Sequence, residues 1–525
     1  MAANPNHPSP APIAAETEVY AVHGADPEVL AYAMAKYSRS ALSMKESLRE
    51  LNAQRAEQFL NTFYFQYGHR SIADLAHVAL AVERLSLLAA IVLVDEQRWD
   101  GQERSTRYQN FRKSGWYTPD FGGDPAAQKT YTAAVEALFH HYDTLSQGAL
   151  ELLRGQIPRP EAMKPEAYER TLRARAFDGA RYLLPLATNT SLGEIVNART
   201  LETQVSRLLT HPHAEVRRLG ERLRQAAAEP AWNVQQAALE ALQQEIAAVN
   251  PELGDRAATL LLRDVPVAPT LVKYAAPVPY MEQTRAELRQ AANELMADAP
   301  VADAPLVDLV EDTTGRDALE IELAATLLYG ESHYPYRQMR DQVAALDGAR
   351  RDELIALGVR HRGRHDELLR AFASGYAFRF DILMDIGGFR DMHRHRRSIQ
   401  AMQPFTALHG FDVPDLLAGT ELQPAYEAAI REAFAVSAAI AGARIPEAAQ
   451  NAQYLLPLGT RCRSLFKMDF AEAVYISELR SAPQGHISYR RVAWEMYQAV
   501  ARRHPALARH FRVTDVREPV DPLQR

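Results

Sequence analysis

Apolar positions along the chain recur with two periods, and the order in which those periods appear is itself repeated. In "EVYAVHGADPEVLAYAMAKYS" (18–38) a short apolar strand meets an acidic turn and then a run with Ala and Leu at helical spacing. "VDLVEDTTGRDALEIELAATLLY" (307–329) follows the same plan. In "HVALAVERLSLLAAIVLVDEQ" (77–97) Val78, Leu80 and Val82 alternate, which predicts a strand running into a helix. "YAFRFDILMDIGGFRDMHRHR" (376–396) does the same with Phe378, Phe380 and Ile382. "RYLLPLATNTSL" (181–192) then returns as "QYLLPLGTRCRSL" (453–465), at a spacing of 454 − 182 = 272 residues. After the first comes "NARTLETQVSRLL" (197–209) and after the second "DFAEAVYISELR" (469–480).

Four echoes in one order predict an α+β protein of two tandem copies, each a mixed or antiparallel sheet with helices, too long to be a solenoid repeat. The copies are expected at 18–290 and 307–515, joined by a Pro/Ala-rich linker at 291–306 that includes "ADAPVADAPL". Residues 1–17 are rich in Pro, Ala and Asn without an apolar signal core, and are expected to form a disordered leader.

Composition narrows the function. The 525 residues are 47% hydrophobic and 24% charged, as in ordinary globular proteins, and carry a net charge of −7. No global basic field therefore draws the chain to nucleic acid or to a membrane surface. The most apolar run, "LSLLAAIVLV" (85–94), is far shorter than the ~20 residues a bilayer span needs. One cysteine, Cys462, excludes an internal disulfide and points to core packing and a cytoplasmic setting.

An anion site must then be local, and "HRHRR" (393–397) is the strongest candidate. His393 and His395 do not share a helix face, and their arginine neighbours repel a cation, which argues against a metal. A solvated basic helix end, a nucleic-acid patch and a phosphate pocket remain open readings. "QERSTRYQNF" (102–111) is the second candidate. If extended, it places Glu103, Ser105 and Arg107 on one side, a phosphate grip of hydroxyl and guanidinium, or else a solvated polar strand. "HPHAEVRRL" (211–219) reads as a helix cap and "RHRGRHDELL" (360–369) as a polar loop leading into a helix. No P-loop or Rossmann glycine pattern is present.

Taken together, these stretches resemble the flavin-dependent thymidylate synthases, whose signature is Arg-His-Arg, then seven residues, then Ser, closing with Ser-x-Arg-Tyr. The resemblance covers most of 18–225 and again 307–500, and divides the signature between the copies. In the first, "GHRS" (68–71) places Ser71 near the flavin, and "ERSTRY" implies that Glu103, Ser105 and Arg107 contact deoxyuridylate. Arg181 fits the family's nucleotide-binding arginine, and Asn197 with Arg199 its flavin-contacting Asn-x-Arg. Arg207 falls one residue short of the arginine that assists ionisation of uracil N3, and acidic "VDEQR" (94–98) stands where Arg-His-Arg belongs. The second copy is the mirror case. Arg394, His395 and Arg396 supply Arg-His-Arg for the flavin, and Arg480 has the N3-activating spacing. "AMQPFTA" (401–407) replaces the Glu-x-Ser-x-Arg-Tyr close, Gln453 the nucleotide arginine and Asp469 the asparagine.

The resemblance implies FAD as cofactor, dUMP as substrate, methylenetetrahydrofolate as carbon donor and NADPH as reductant. Catalysis would rest on positioning and positive charge, with no cysteine nucleophile. Family sites lie at the subunit interfaces of a homotetramer, so a homodimer of this fused chain is expected to mimic that tetramer. Three classes stay open: a thymidylate synthase, a flavin- or nucleotide-binding homologue without turnover, and a structural pseudo-enzyme.

Overall fold

The computed structural model describes residues 24–36, 70–310, 318–361, 363, 369, 371, 378–468, 470–503, 505–508 and 511–523. The leader, the first strand of the 18–38 echo, most of "RHRGRHDELL" and Asp469 lie outside them. The chain divides into two compact units, residues 1–76 with 229–271, and residues 77–228 with 272–525.

In the first unit the helix Pro27–Lys36 is fastened by its own first turn. Glu28 accepts the backbone N–H groups of Thr270 and Leu271 at 2.8 and 2.7 Å. Asp26 meets Arg263 with both oxygens, at 2.6 and 2.9 Å. The helices Gln236–Val249 and Pro251–Leu261 form a hairpin whose corner is set by Asn250, capping Leu253 N–H at 3.1 Å, ahead of Pro251.

The second unit holds two sheets on one plan. β1 (His77–Ser86), β2 (Trp99–Glu103) and β3 (Asn189–Asn197) are ordered β1-β3-β2. β4 (Val307–Leu309), β5 (Phe378–Asp385), β6 (Ile399–Met402) and β7 (Arg461–Met468) are ordered β4-β5-β7-β6. All pairings are antiparallel. β5-β7-β6 thus repeats β1-β3-β2, and β4 lies at the outer edge of β5, its first-copy counterpart falling outside the described residues. The fold is α+β in two tandem copies, as the periodicity predicts.

Equivalent residues do equivalent work in the two copies. β1 ends at Ser86, whose Oγ accepts Ala89 N–H and caps the buried helix Leu87–Leu93. β5 ends at Asp385, whose carboxylate accepts Gly388 N–H at 2.6 Å and caps the buried helix Ile386–Met392. Phe378, Phe380 and Ile382 are all buried, and burying an aromatic or aliphatic side chain of this kind is worth roughly 1.5–3 kcal/mol. The helix Pro279–Leu295 reaches into the stretch read as linker, leaving 296–306 irregular until β4.

The two "YLLPL" segments pair with each other, antiparallel, with Pro185 opposite Pro457. Leu186 N–H donates to Leu456 O and Leu458 N–H to Leu184 O, both at 2.9 Å. Ala187 N–H donates to Tyr454 O and Gly459 N–H to Tyr182 O, again at 2.9 Å. Exchanging the copies carries each bond onto another of the set, so a local twofold axis passes between the two prolines. Proline is tolerated there because its missing N–H is not called on.

Candidate functional site

The twofold brings the end of β2 in the first copy against the helix Ile386–Met392 and the following turn of the second. β2 holds register through Glu103, opposite Leu192, and Arg104 N–H still donates to Ser191 O at 2.9 Å. The strand then ends. Ser105 Oγ accepts Arg107 N–H at 3.2 Å, which folds 105–108 into a turn. The expected alternation therefore fails beyond Arg104, because the serine hydroxyl closes a local turn instead of continuing the strand. Thr106 and Arg107 are buried and Tyr108 is exposed.

Glu103 is the meeting point of the copies. Its Oε1 pairs with Arg390 Nη2, and its Oε2 lies 3.5 Å from Arg394 Nη2. The Glu103 and Arg390 side chains are each only 5% exposed. Thr106 Oγ1 faces Arg181 Nη1 at 3.3 Å and Arg390 Nη1 at 3.4 Å. Arg181 is 1% exposed, and among the described residues its Nε and Nη2 have no hydrogen-bond acceptor, nor does Nε of Arg390. Burial lowers the Arg390 pKa, and Glu103 opposes the shift. Arg396 pairs with the exposed Asp100 at 2.8 Å and lies over the Trp99 ring.

Beside this cluster, Arg107 donates Nε and Nη2 to Asp178 at 2.9 and 3.2 Å and Nη1 to Tyr489 Oη at 2.9 Å. Burial alone would raise the Asp178 pKa, yet nearby positive charge holds it at about 2. His486 is the first contributor to that shift, but burial holds its own pKa at about 3. At neutral pH the imidazole is uncharged, so Arg107 and Arg181 carry the effect. Tyr489 connects the halves further, since both Arg107 and Arg480 lie against its ring. Arg480 Nε donates to His395 Nε2 at 2.7 Å, which puts the imidazole proton on Nδ1, 3.7 Å from Glu472. Burial holds His395 below the ordinary imidazole range.

Glu103, Arg107, Arg181, Arg394, His395 and Arg480 are thus linked in one region through Arg390, Thr106, Asp178 and Tyr489, while Arg396 meets Asp100 and Trp99 on β2. Other candidates stand apart. Asn197 caps the helix Ala198–Leu209 by accepting Thr200 N–H at 2.8 Å, and Arg199 lies half-buried in its first turn. Arg207 donates to Val92 O at 3.0 Å, on the first copy's own short helix. One residue of offset rotates a helical side chain by about 100°, so Arg207 does not repeat the position of Arg480. Ser71 lies in the short 3₁₀ helix Arg70–Leu75, and its side chain is outside the described residues. Arg390, Asp178, His486 and Tyr489 escaped sequence reasoning. Arg390 alone had a signal, standing four residues before Arg394.

A sequence model of the thymidylate synthase complementing protein family matches this chain twice, at residues 20–231 and 308–506. The chain belongs to that family, the flavin-dependent thymidylate synthases. The double match is the duplication already visible in the sheets. Among similar proteins is a UPF0159 protein of Chlamydia muridarum, 29% identical over 524 residues, spanning 94% of this chain and 91% of the relative. A UPF0159 protein of Thermoplasma acidophilum is 26% identical over 527 residues, spanning 92% and 94%. The flavin-dependent thymidylate synthase of Clostridium tetani is 27% identical over 177 residues, 34% of this chain and 67% of that protein. The first two match this chain along nearly its whole length. Among the described residues no helix is long and apolar enough to cross a membrane.

Proposed function

We propose that this protein is a flavin-dependent thymidylate synthase, converting dUMP to dTMP with methylenetetrahydrofolate and NADPH, at a site built from both copies. The observation that carries the reading is the cluster on Glu103, where the first copy's substrate motif meets the second copy's Arg390 and Arg394. The residues present fit phosphate-bearing ligands: Arg181 and Arg390 keep buried N–H groups without acceptors, and the donor set is cationic. Cys462 is buried and its thiol is pushed well above its ordinary pKa, which suits a route without a thiolate nucleophile.

Arg181, Ser105 and Arg107 hold the nucleotide, with Thr106 fixing the Arg181 head. Arg480, oriented by His395, draws electron density from the uracil N3 side and stabilises the anion that forms there. Arg394, His395 and Arg396 hold FAD, with Ser71, Asn197 and Arg199 assigned to it by motif. Bound FAD supplies hydride drawn from NADPH. A second set would combine acidic Asp95 and Glu96 with Gln453 in place of the family's basic residues, so one competent site per chain is the expected count. A homodimer supplies the four copies of the family's tetramer, which sedimentation checks.

Release of tritium from [5-³H]deoxyuridylate in the presence of both co-substrates tests the reading, and Arg394→Ala should abolish it. A second reading, a binding homologue without turnover, is favoured by the Glu103–Arg390 pair, which already occupies the substrate-motif carboxylate. Flavin and nucleotide binding without tritium release would establish it.

A further inference from the structure

Beside the Glu103 cluster, the copies differ at one helix N-terminus. "HAEVR" (213–217) opens the helix Ala214–Ala228 in the first copy, and "HISYR" (486–490) opens Ile487–Arg503 in the second. The stretches are equivalent in the fold. Arg217 N–H donates to His213 O and Arg490 N–H to His486 O, both at 3.1 Å, and both histidines are buried.

In the first copy this helix end is closed by an anion of the chain itself. Glu447 Oε2 accepts Ala214 N–H at 3.1 Å, and Oε1 pairs with Arg217 Nη2. A helix N-terminus and a guanidinium together bind a carboxylate well. By the 272-residue spacing of "RAFDGARYLLP" (175–185) and "EAAQNAQYLLP" (447–457), the counterpart of Glu447 is Arg175. The built-in anion has become a second cation.

The carboxylate that Glu447 places on Ala214 N–H and Arg217 thus has no counterpart at residue 175, and Asp385, whose carboxylate reaches the second helix's first turn, is taken by Ser488 Oγ. Arg490 is 4% exposed, donates Nε to Ser481 O at 3.0 Å, and keeps a buried Nη2 without an acceptor. It lines a cleft of about 250 Å³ together with Arg175, Arg107 and the residues that open the helix, His486 and Ile487. The acidic groups on the cleft wall are committed elsewhere, Asp178 to Arg107 and Asp415 to Arg491 at 2.7 Å.

We propose that this end of the cleft is a subsite for an anionic group of a small-molecule ligand, phosphate or carboxylate, held by Arg490, Arg175 and the N-terminus of Ile487–Arg503. The ligand's anion takes the place that Glu447 fills in the other copy. The inference does not depend on the thymidylate synthase reading.

Calorimetric titration of the full chain with inorganic phosphate and, separately, glutarate tests it. The tighter probe names the source, a phosphorylated ligand or a carboxylate tail. Arg490→Met should weaken that probe about tenfold or more, the loss of one charge-assisted contact. Arg175→Glu restores the built-in carboxylate and should abolish binding while keeping the wild-type melting temperature. It also decides the matter if Arg490→Met fails to fold. Phosphate held at the nucleotide site of the Glu103 cluster instead would be lost in Arg181→Met and kept in Arg175→Glu. That pattern, no binding of either anion to the wild type, or undiminished binding by both cleft variants would overturn the proposal.

Discussion

The contact between Glu103 and Arg390 joins side chains 287 residues apart, and a double-mutant cycle tests whether the divided site closes within one chain. Each side chain is 5% exposed, so removing either partner strands the other charge in a dry setting. Stranding a buried partner costs about 3–5 kcal/mol. Arg394 tempers the cost from the far side of the carboxylate, but at 3.5 Å and 34% exposed its share is under about 1 kcal/mol. Glu103→Gln and Arg390→Met should therefore each destabilise by about 3 kcal/mol. The double variant, which buries no unpaired charge, should recover at least about 2 kcal/mol of the summed loss. Urea unfolding followed by intrinsic fluorescence reads all four corners. Arg396→Ala is the control, since its partner Asp100 is 80% exposed and the pair is worth well under 1 kcal/mol. Additivity of the two single variants within about 0.5 kcal/mol would refute the reasoning, because side chains that do not touch add in that way.

Other outcomes follow from the same geometry. Arg181→Met should weaken dUMP binding about tenfold or more in calorimetry while leaving the flavin absorbance band intact, because one buried charged donor is lost. Burial raises Asp385 to about 6 and Glu194 to about 7. Both values lie above the ordinary carboxylate range, so the stability these groups lend is complete below about pH 4 and lost as pH rises through 6 and 7. Glu194→Gln should accordingly flatten the melting-temperature profile over that window. His213 is the opposite case. Burial lowers it to about 4, so its contribution is present above the ordinary imidazole value of about 6.5 and falls away as pH drops toward 4, and His213→Phe should remove that acid limb.

The duplication was legible because "YLLPL" is a structural element and not a site. Each copy's backbone hydrogen bonds are completed by the other, so both had to keep the same shape. Strand alternation at Val78 and Val82, and at Phe378, Phe380 and Ile382, was legible because it reports burial directly. The turn at 105–108 was not. A serine that closes on its own backbone looks in sequence like one that continues a strand. Arg390 carried one faint signal, its place four residues before Arg394, but its partner lies in the other copy, and linear spacing does not reveal a contact made across a twofold axis.

That axis also explains how two incomplete signatures coexist in one chain. A contact across it is made twice, once at each end, between non-equivalent residues. Glu103 faces Arg390 and Arg394 at one end, while Met402, its counterpart by the strand plan, sits at the other. Losing "ERSTRY" from the second copy and Arg-His-Arg from the first spoils the same end twice and leaves the other end whole. Losing both motifs from the same copy would have cost both ends. Glu447 fits this logic, since it carries the spoiled end's own anion to Arg217, where the intact end presents Arg490 and Arg175 instead. The division of motifs is therefore the pattern expected when one of two symmetry-related sites is kept and the other is given over to holding the copies together.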